Sequence, residues 1–351
     1  MLVIGAGQAG LGLAQRLQRH PGIGVLVVDA APVGESWRER WDSLQLFTPR
    51  RFSGLPGLRF PVGRSRSPSR LEMAQFLERY VRHFALPVRT GLRVRRLTRT
   101  GERFAAVTDA GPINARQVVL ATGPFRRPYV PAAAGDLDPS VSQQHSFTYR
   151  RPSDVPAGEV LVVGGGNSAA QLAIELAATH QVTVASPGEL WFLPEDVLGV
   201  SMYWWTLLTG VLNARSDAPV SRYIRRRGDA IVGTRLRELI DAGRVRHHPC
   251  RVVSAHGRSV ELSDGTVLPV WSVLWCTGFR PETDWIDVDG ALDGTGAPLH
   301  EAGASPVDGL HWLGLPWQTR LNSSIIDGVD RDARRTTARI VNGLAAGERD
   351  A

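Results

Sequence analysis

Short uninterrupted runs of apolar residues alternate along this chain with segments in which apolar residues recur every three or four positions. The clearest runs lie at residues 2–4, 24–28, 117–121, 160–163, 181–185 and 270–276. Runs of that length are typical of strands buried on both faces of a parallel sheet, and the periodic segments are typical of helices that cover such a sheet. The pattern therefore predicts an α/β fold.

Two of these strands, at 2–4 and 160–163, each run into a glycine-rich turn and then a helix. Such a unit presents bare backbone N–H groups and a helix N-terminus to a pyrophosphate. Two units predict two bound dinucleotides whose reactive rings meet, in a fold of two Rossmann-like dinucleotide-binding domains. The residues expected at the two pyrophosphates are Gly5, Gly7, Gln8, Ala9 and Gly10 in the first unit and Gly164, Gly166, Asn167 and Ser168 in the second.

The residue at the end of the second strand of each unit distinguishes the two sites chemically. In the first unit it is Asp29, whose carboxylate is placed to accept both ribose hydroxyls of an adenosine and to repel a 2′-phosphate, so this site favours FAD or NAD over NADP. In the second unit it is Ser186, which is not an acid that would select NADH, so we expect NADPH there, with NADH possible. Each unit ends in an apolar strand that runs into Thr-Gly, and the cofactor-lining residues expected there are Ala121, Thr122, Gly123, Thr277 and Gly278.

Composition narrows the function classes. The chain has 351 residues, of which 43% are hydrophobic and 21% are charged, as in an ordinary globular protein with room for two or three domains. No apolar run is long enough for an integral membrane segment, and Met1 leads directly into the first strand without a basic leader. The net charge of +7 comes from scattered Arg residues, because the sequence contains no Lys. Since no groove-reading motif accompanies this charge, we expect no nucleic-acid partner.

The two cysteines exclude further classes. Cys250 and Cys276 are too few for a disulfide framework, which fits a reducing cytoplasm. They are too far apart in sequence for the Cys-x-x-Cys pair that a disulfide reductase needs. His247 and His248 lie near Cys250 but lack a second cluster of ligands, so no metal site is predicted.

Four segments together resemble one family. Residues 34–49 contain Gly-Glu-Ser-Trp-Arg and Trp-Asp-Ser-Leu-Gln-Leu-Phe-Thr-Pro, 52–57 read Phe-Ser-Gly-Leu-Pro-Gly, 145–150 read His-Ser-Phe-Thr-Tyr-Arg, and 275–281 read Trp-Cys-Thr-Gly-Phe-Arg-Pro. In this order they resemble the flavin-covering loop, the segment after it, the linker and the second Thr-Gly crossing of the flavin-containing monooxygenases. The resemblance is greatest to the small bacterial members and to the plant enzymes that make auxin.

The resemblance implies a domain organisation. An FAD-binding domain is expected from residues 1–151 and 283–351, with an NAD(P)H-binding domain inserted at 152–282. Each domain is expected to have the three-layer ββα form of FAD/NAD(P)-binding folds. The family fingerprint has Phe and Gly where this chain has Pro139 and Val141, a departure that small bacterial members often share.

The resemblance also implies an activity. The expected enzyme consumes NAD(P)H, holds FAD, and inserts one oxygen atom of O2 into a small organic substrate through a C4a-(hydro)peroxyflavin. It is expected in the cytoplasm, and a homodimer is compatible with the sequence. The further cofactor-binding residues that the resemblance implies are Trp37, Arg38, Leu46 and Thr48 around the flavin and Val94, through its backbone, at the adenine.

Alternative functions stay open at this level. An NAD(P)H:acceptor flavin oxidoreductase that passes electrons to a ferredoxin or a quinone needs no motif that this chain lacks. A non-catalytic nucleotide-binding regulator is a third class, and the intact glycine turns in both units argue against it. No catalytic acid or base is assigned.

Several residues have two interpretations each. His145 is either a gate for NAD(P)H or a hydrogen-bonded structural histidine. The aromatic residues of segment 191–205 either pack domains together or line a substrate tunnel or touch a membrane. Trp317, Gln318 and Asn322 approach the flavin if the topology of the family holds.

Overall fold

The computed structural model describes residues 1–347, and the first unit is built around a five-stranded parallel sheet. Its strands, in spatial order, are Leu310–Trp312, Val118–Leu120, Leu2–Ile4, Leu26–Val28 and Val88–Arg89. The first strand in this order comes from the C-terminal part of the chain, so both ends of the sequence complete one sheet. Leu2–Ile4, Leu26–Val28 and Val118–Leu120 are the apolar runs that the sequence predicts, whereas Leu310–Trp312 contains His311 and Val88–Arg89 ends in an exposed arginine.

Helices and a second sheet cover the two faces of this parallel sheet. The helices of the first unit are Gln8–Leu17, Glu35–Arg38, Arg70–Phe84 and Val329–Gly347. The covering sheet contains Val94–Thr100, Arg103–Thr108 and Gly111–Ala115 in antiparallel order, with Ile286–Asp287 added parallel to the first of them. An apolar cluster that includes Ile4, Phe104 and Trp312 fills the space between the sheets, which gives the three-layer ββα form.

The second unit repeats this plan. Its five-stranded parallel sheet consists, in spatial order, of Val245–His248, Gln181–Ala185, Glu159–Val163, Ser272–Trp275 and Ser142–His145. Helices Asn167–Leu176 and Arg235–Asp241 flank it, and its covering antiparallel sheet is Val252–His256, Ser259–Leu262 and Val267–Pro269. The strand that ends at His145 precedes residue 152, so the second sheet recruits chain from before the predicted start of the inserted domain.

A cap protrudes from the second unit between the strand Gln181–Ala185 and the helix Arg235–Asp241. We call residues 194–227 the cap. It contains a hairpin and two short helices, and the strand pair Phe192–Leu193 and Ile231–Val232 closes its base. The elements of the cap are the strands Asp196–Val197 and Val200–Ser201 and the helices Met202–Leu208 and Pro219–Arg227.

The two units are joined by two chain crossings. Arg127–Pro128 and Phe279–Arg280 form a two-stranded antiparallel connection between them. Single 3-10 turns occur at Arg50–Phe52, Ala132–Asp136 and Pro152–Asp154. Among the described residues, no helix combines the length and the apolar character needed to cross a bilayer.

Candidate cofactor and substrate site

The first glycine turn is shaped by backbone crowding. Gly5 has φ +113°, and a side chain there would collide with the carbonyl of Ala121, at the end of the neighbouring strand. A side chain at Gly10 would collide with the carbonyl of Gly5. In contrast, nothing lies within 4 Å of the position that a Cβ at Gly7 would take. The turn is thus packed tightly on its protein side and open at Gly7, which fits a pyrophosphate.

The helix that follows this turn begins without a side-chain cap. Gly7 is its N-cap, and its first turn contains no acidic residue. Gln8 is partly buried, and Ala9 lies so close to Gly314 that a side chain at residue 314 would crowd it. The first N–H groups of a helix need an acceptor, and a helix N-terminus favours an anion. This end is therefore suited to a phosphate group.

Asp29 holds the turn from the adjacent strand. Its Oδ2 accepts a hydrogen bond from the backbone N–H of Ala6 at 2.7 Å, and its Oδ1 accepts one from Ala31 at 3.0 Å. The carbonyl of Asp29 also accepts from the N–H of Leu92 at 2.9 Å, which brings the strand that begins at Val94 close to the adenine end of the predicted site. Carboxylate oxygens accept more than one hydrogen bond, so Asp29 keeps capacity for ribose hydroxyls.

The second glycine turn has the same construction. Gly164 has φ +145°, and a side chain there would collide with the carbonyl of Cys276 on the neighbouring crossing. Gly166 is the N-cap of its helix, has no side-chain cap, and is open to space within 4 Å. Ser168 lies in the first turn of this helix. Both turns thus combine one crowded glycine with one open glycine.

Asn167 reaches away from the turn. Its Nδ2 donates to the carbonyl of Ala230 and its Oδ1 accepts from the N–H of Val232, both at 2.9 Å. These two bonds tie the helix start to the strand at the base of the cap. The side chain therefore positions backbone, and its own backbone N–H remains for a phosphate.

Ser186 is buried beside His247, a histidine for which the sequence predicts no metal. Its hydroxyl donates to the carbonyl of Gly188 at 2.6 Å and lies 2.8 Å from Nε2 of His247. Burial lowers the pKa of His247, and the nearby carboxylate of Glu189 opposes this shift. Because strands 181–185 and 245–248 are parallel neighbours, His247 belongs to the region where the 2′-position of the second nucleotide is expected. No group of three metal-ligating side chains occurs in the described part of the chain.

The Thr-Gly crossings are fixed by backbone hydrogen bonds. The hydroxyl of Thr277 donates to the carbonyl of Tyr129, whose N–H donates to the carbonyl of Gly278 at 2.9 Å. Ala121 is buried, whereas Thr122 and Gly123 are exposed at the end of their strand. Both crossings thus end in backbone that is accessible at the carboxyl edge of a parallel sheet, where ligands of such folds bind.

His145 has both ring nitrogens engaged with this backbone. Nδ1 accepts from the N–H of Phe147 at 3.0 Å, so Nε2 carries the proton and donates to the carbonyl of Gly278 at 3.1 Å. Burial lowers the pKa of the ring, and the charge of Arg40 lowers it further. This geometry is that of a neutral, hydrogen-bonded histidine that positions the crossing.

The predicted flavin-covering loop is anchored to the helix at 70–84. Trp37 is partly buried, and Arg38 donates to the carbonyl of Val33 at 2.9 Å and forms an ion pair with Glu78 on that helix. The guanidinium of Arg38 is therefore committed to holding the loop. Leu46 is in the apolar core, and Thr48 is buried at the loop's far end.

The cap closes over this loop from the second unit. Phe52 stacks on Tyr203 with ring centroids 4.7 Å apart and meets Trp204 edge-on at 4.8 Å. At the hairpin, Arg66 donates to Asp196 at 2.7 Å. Aromatic contact and an ion pair together join the loop of the first unit to the cap.

The other side of the cap rests on the C-terminal segment of the first unit. The N–H of Ser216 donates to the carbonyl of Thr319 at 2.9 Å, and the N–H of Leu321 donates to the carbonyl of Ala214 at 3.0 Å. The guanidinium of Arg225 lies 4.7 Å from the ring centroid of Trp317. The cap thus bridges two parts of the first unit, the loop at Phe52 and the C-terminal segment at Thr319.

Polar groups without partners are buried where loop, cap and C-terminal segment meet. Tyr203 lies beside Asp327 and Thr48, yet neither its hydroxyl nor Oδ1 of Asp327 makes a hydrogen bond of standard geometry to the described residues. Oδ2 of Asp327 accepts from Asn322 at 3.2 Å. Burial raises the pKa of Asp327, and burial together with the Asp327 carboxylate raises that of Tyr203. We call Thr48, Tyr203, Asn322 and Asp327 the junction cluster.

Gln318 carries another buried donor in the C-terminal segment. Its Oε1 accepts from the N–H of Leu315 at 3.2 Å, while its buried Nε2 has no acceptor among the described residues. Buried polar groups are nearly always paired in native proteins, so such a concentration indicates a place where a ligand supplies the partners. The sequence pointed to Gln318 and Asn322 through the family topology, but nothing in it pointed to Asp327.

Comparison with known proteins decides the family. Residues 2–208 match the family model described as pyridine nucleotide-disulphide oxidoreductase. The chain belongs to the pyridine nucleotide-disulphide oxidoreductase family. It is also 38% identical over 342 residues to an uncharacterized CzcO-like oxidoreductase of Geobacillus kaustophilus, a match that covers 97% of this chain and 98% of that protein.

Two further relatives carry names that describe a reaction. A flavin-containing monooxygenase from Stenotrophomonas maltophilia has the same fold, with a TM-score of 0.80 and 28% identity over 98% of both chains. A probable indole-3-pyruvate monooxygenase of Arabidopsis thaliana, YUCCA7, is 26% identical over 321 residues, which cover 80% of this chain and 74% of that protein.

These findings confirm the predicted likeness to flavin-containing monooxygenases, the two-unit α/β fold and the status as an enzyme. This family member is an oxidoreductase, and its likeness to a flavin-containing monooxygenase agrees with the predicted FAD and NADPH. The family name includes disulphide reductases, but this chain has no Cys-x-x-Cys pair. Burial raises the pKa of the Cys276 thiol to about 12, so it is not a thiolate at neutral pH.

Proposed function

We propose that this chain is an NADPH-dependent flavin monooxygenase that inserts one oxygen atom of O2 into a small organic substrate. The observation that carries the proposal is the cap, which bridges the flavin-covering loop at Phe52 and the C-terminal segment at Thr319. Oxygen insertion demands a site from which water is excluded, because water diverts reactive intermediates. An enzyme that only passes electrons onward has no such need.

The two glycine turns support a division of labour between the units. The open position at Gly7, with Asp29 beside it, suits FAD in the first unit. The open position at Gly166, with Ser186 and His247 beside it, suits NADPH in the second unit. When bound, FAD takes electrons from NADPH and activates O2. The chain itself supplies binding, orientation and exclusion of water.

The junction cluster supports a substrate position between the units. The hydroxyl of Tyr203 and Oδ1 of Asp327 make no hydrogen bond of standard geometry to the described residues, although Oδ2 of Asp327 accepts from Asn322. The raised pKa of Tyr203 keeps its hydroxyl protonated, and burial raises the pKa of Asp327. We infer that the Tyr203 hydroxyl donates a hydrogen bond to a polar atom of the substrate or of the flavin, with Asp327 as a second polar group beside it. The partners of the enzyme are then a small molecule and O2, and cytoplasmic location and a homodimer stay predictions.

The test is the balance of the reaction. A monooxygenase converts NADPH, one proton, O2 and substrate into NADP⁺, oxygenated product and water. NADPH consumption and peroxide release are therefore to be measured with purified, FAD-loaded enzyme against heteroatom-containing, carbonyl-containing and aromatic substrates. We expect one class to accelerate NADPH consumption and suppress peroxide. Peroxide equal to NADPH with every substrate, together with rapid anaerobic reduction of a quinone or ferredoxin, contradicts the proposal and favours the electron-transfer alternative.

A further inference from the structure

Exposed apolar side chains are concentrated on the cap and on the loop beneath it. Of the sixteen large apolar side chains that are exposed in the described chain, eight lie within residues 47–62 and 198–232. They are Phe47, Val62, Leu198, Val200, Trp204, Leu208, Tyr223 and Val232. Single exposed apolar residues are ordinary, but a concentration of this kind marks an interaction surface.

The most exposed members sit at the protruding parts of the cap. Leu198 is 89% exposed at the tip of the hairpin and has φ +52°, a conformation in which Gly or Asn is favoured over a leucine. Trp204 and Leu208 are four residues apart on the next helix and so share a face, on which Leu208 is 80% exposed. The indole of Trp205 donates to the carbonyl of Val197 at 3.2 Å and fixes the helix against the hairpin.

Arginine side chains flank these apolar side chains, and half of the arginines in the loop have no ion pair within the described chain. The loop at residues 49–70 contains six Arg and no acidic residue. Arg50, Arg66 and Arg70 pair with carboxylates, whereas Arg51, Arg59 and Arg64 are exposed and have no ion pair within the described chain. The guanidinium of Arg51 lies 5.1 Å from the ring centroid of Trp204, directly beside the apolar face.

The second cap helix adds to this charge. It ends in three consecutive exposed Arg residues, at 225–227, and its Tyr223 is also exposed. Leu and Trp at the tip with Arg around it is the composition of segments that rest in the interface of an anionic bilayer. A protein partner would have to offer acidic groups around an apolar pocket, while an anionic bilayer offers both without a matching shape.

We propose that the cap binds the surface of an anionic lipid bilayer, with Leu198, Trp204 and Leu208 entering the headgroup region and Arg51 and Arg64 contacting lipid phosphates. We call these five residues the docking face. The cap contributes Tyr203 to the junction cluster, where we place the substrate, so this attachment brings the proposed site close to the membrane, where apolar molecules collect. The proposal is independent of the reaction, because it rests only on the outer surface.

The first experiment is cosedimentation of the full-chain, FAD-loaded enzyme with vesicles. Phosphatidylcholine vesicles are compared with vesicles that also contain phosphatidylglycerol. We expect binding to the anionic vesicles to exceed binding to the neutral ones by about tenfold and to fall as salt screens the Arg–phosphate attraction. Equal sedimentation with both, or none with either, overturns the proposal.

The second experiment uses matched substitutions. Leu198→Asp and Leu208→Asp place a charge on the docking face, whereas Val267→Asp places one on a distant strand of the second unit, where Val267 is 61% exposed. We expect the first two to reduce vesicle binding about fivefold or more and the third to leave it unchanged, with flavin absorbance and NADPH–ferricyanide activity retained in all three. An equal loss in Val267→Asp overturns the proposal. Unchanged lipid binding in Leu198→Asp also overturns the proposal. If light scattering shows a dimer that only Leu198→Asp disrupts, the docking face binds a second copy of the chain and the lipid proposal is overturned.

Discussion

His145 donates from Nε2 to the carbonyl of Gly278 at 3.1 Å, while Nδ1 of the same ring accepts from the backbone of Phe147. These bonds join the linker strand to the crossing that returns the chain to the first unit. They require the neutral ring, because a protonated ring has no acceptor for the N–H of Phe147. The histidine that the sequence marked as a possible gate is thus built into the frame of the site.

This relationship predicts acid sensitivity. The pKa of His145 is lowered in the folded protein, chiefly by burial, so its contribution to stability is complete above the ordinary value near 6.5 and is lost as pH falls from there to the lower pKa of the folded state. We expect His145→Gln to lose about 1 kcal/mol of stability at pH 8 but to show a flatter decline than the wild type between pH 7 and pH 5. Urea unfolding of both proteins across this range provides the measurement. Parallel declines would show that His145 does not titrate on unfolding.

The open and crowded glycines of the second turn predict opposite failures. Gly166→Ala meets no atom within 4 Å, so we expect a normally folded protein whose KM for NADPH rises about tenfold or more because the methyl group occupies the phosphate position. Gly164→Ala collides with the carbonyl of Cys276 and should lower the unfolding midpoint. Thermal unfolding and NADPH titration separate the two effects. A stable Gly166→Ala variant with an unchanged KM for NADPH would show that the nucleotide does not bind at this turn.

Ser186 predicts the coenzyme preference. A carboxylate at this position repels a 2′-phosphate and accepts ribose hydroxyls, so we expect Ser186→Asp to shift the NADPH-to-NADH ratio of kcat/KM toward NADH by about tenfold. Ser186→Ala, which loses only the bonds to Gly188 and His247, is the matched control and should change the ratio less. Steady-state kinetics with both coenzymes measure the shift. An unchanged ratio in the Asp variant would place the 2′-position elsewhere.

Substitutions in the junction cluster should affect the yield of oxygenated product per NADPH without a large effect on stability. The hydroxyl of Tyr203 lies beside Asp327 and Thr48 but makes no hydrogen bond of standard geometry to the described residues, so Tyr203→Phe should leave the unfolding free energy within about 1 kcal/mol of the wild type. If the hydroxyl bonds to substrate or flavin, the same variant should release more peroxide per NADPH. Asp327→Asn, which keeps the shape but carries no ionisable group, should move in the same direction. Unchanged peroxide yield in both variants would assign the cluster a packing role.

The features of this molecule that its sequence predicts are those set by local signals. The strands and turns are predicted because apolar runs and glycine spacing act within a few residues, and the crowding of Gly5 and Gly164 is the same in both units. The hydrogen-bond and ion-pair partners of individual side chains are harder to predict from the sequence. Asn167 stands at a phosphate position yet binds backbone at 230–232, and His247 pairs with Ser186 and not with the nearby Cys250.

Long-range packing decides the remainder. Tyr203 and Asp327 meet only because the cap folds back on a segment far along the chain, and no periodicity records this contact. The strand at 142–145 joins the second sheet by pairing with residues 272–275, which lie far along the chain. No local sequence pattern predicts this pairing. The likeness to a family motif predicts Arg38 at the flavin, and it gives no sign of the ion pair that the guanidinium makes with Glu78.

Isotope labelling tests the central claim most directly. The FAD-loaded enzyme is supplied with NADPH, oxygen-18-labelled O2 and the substrate class that suppresses peroxide, and the product is analysed by mass spectrometry. The account predicts product that carries one labelled oxygen atom, formed in step with NADPH oxidation. Product without label, or labelled oxygen recovered only as peroxide, would contradict it.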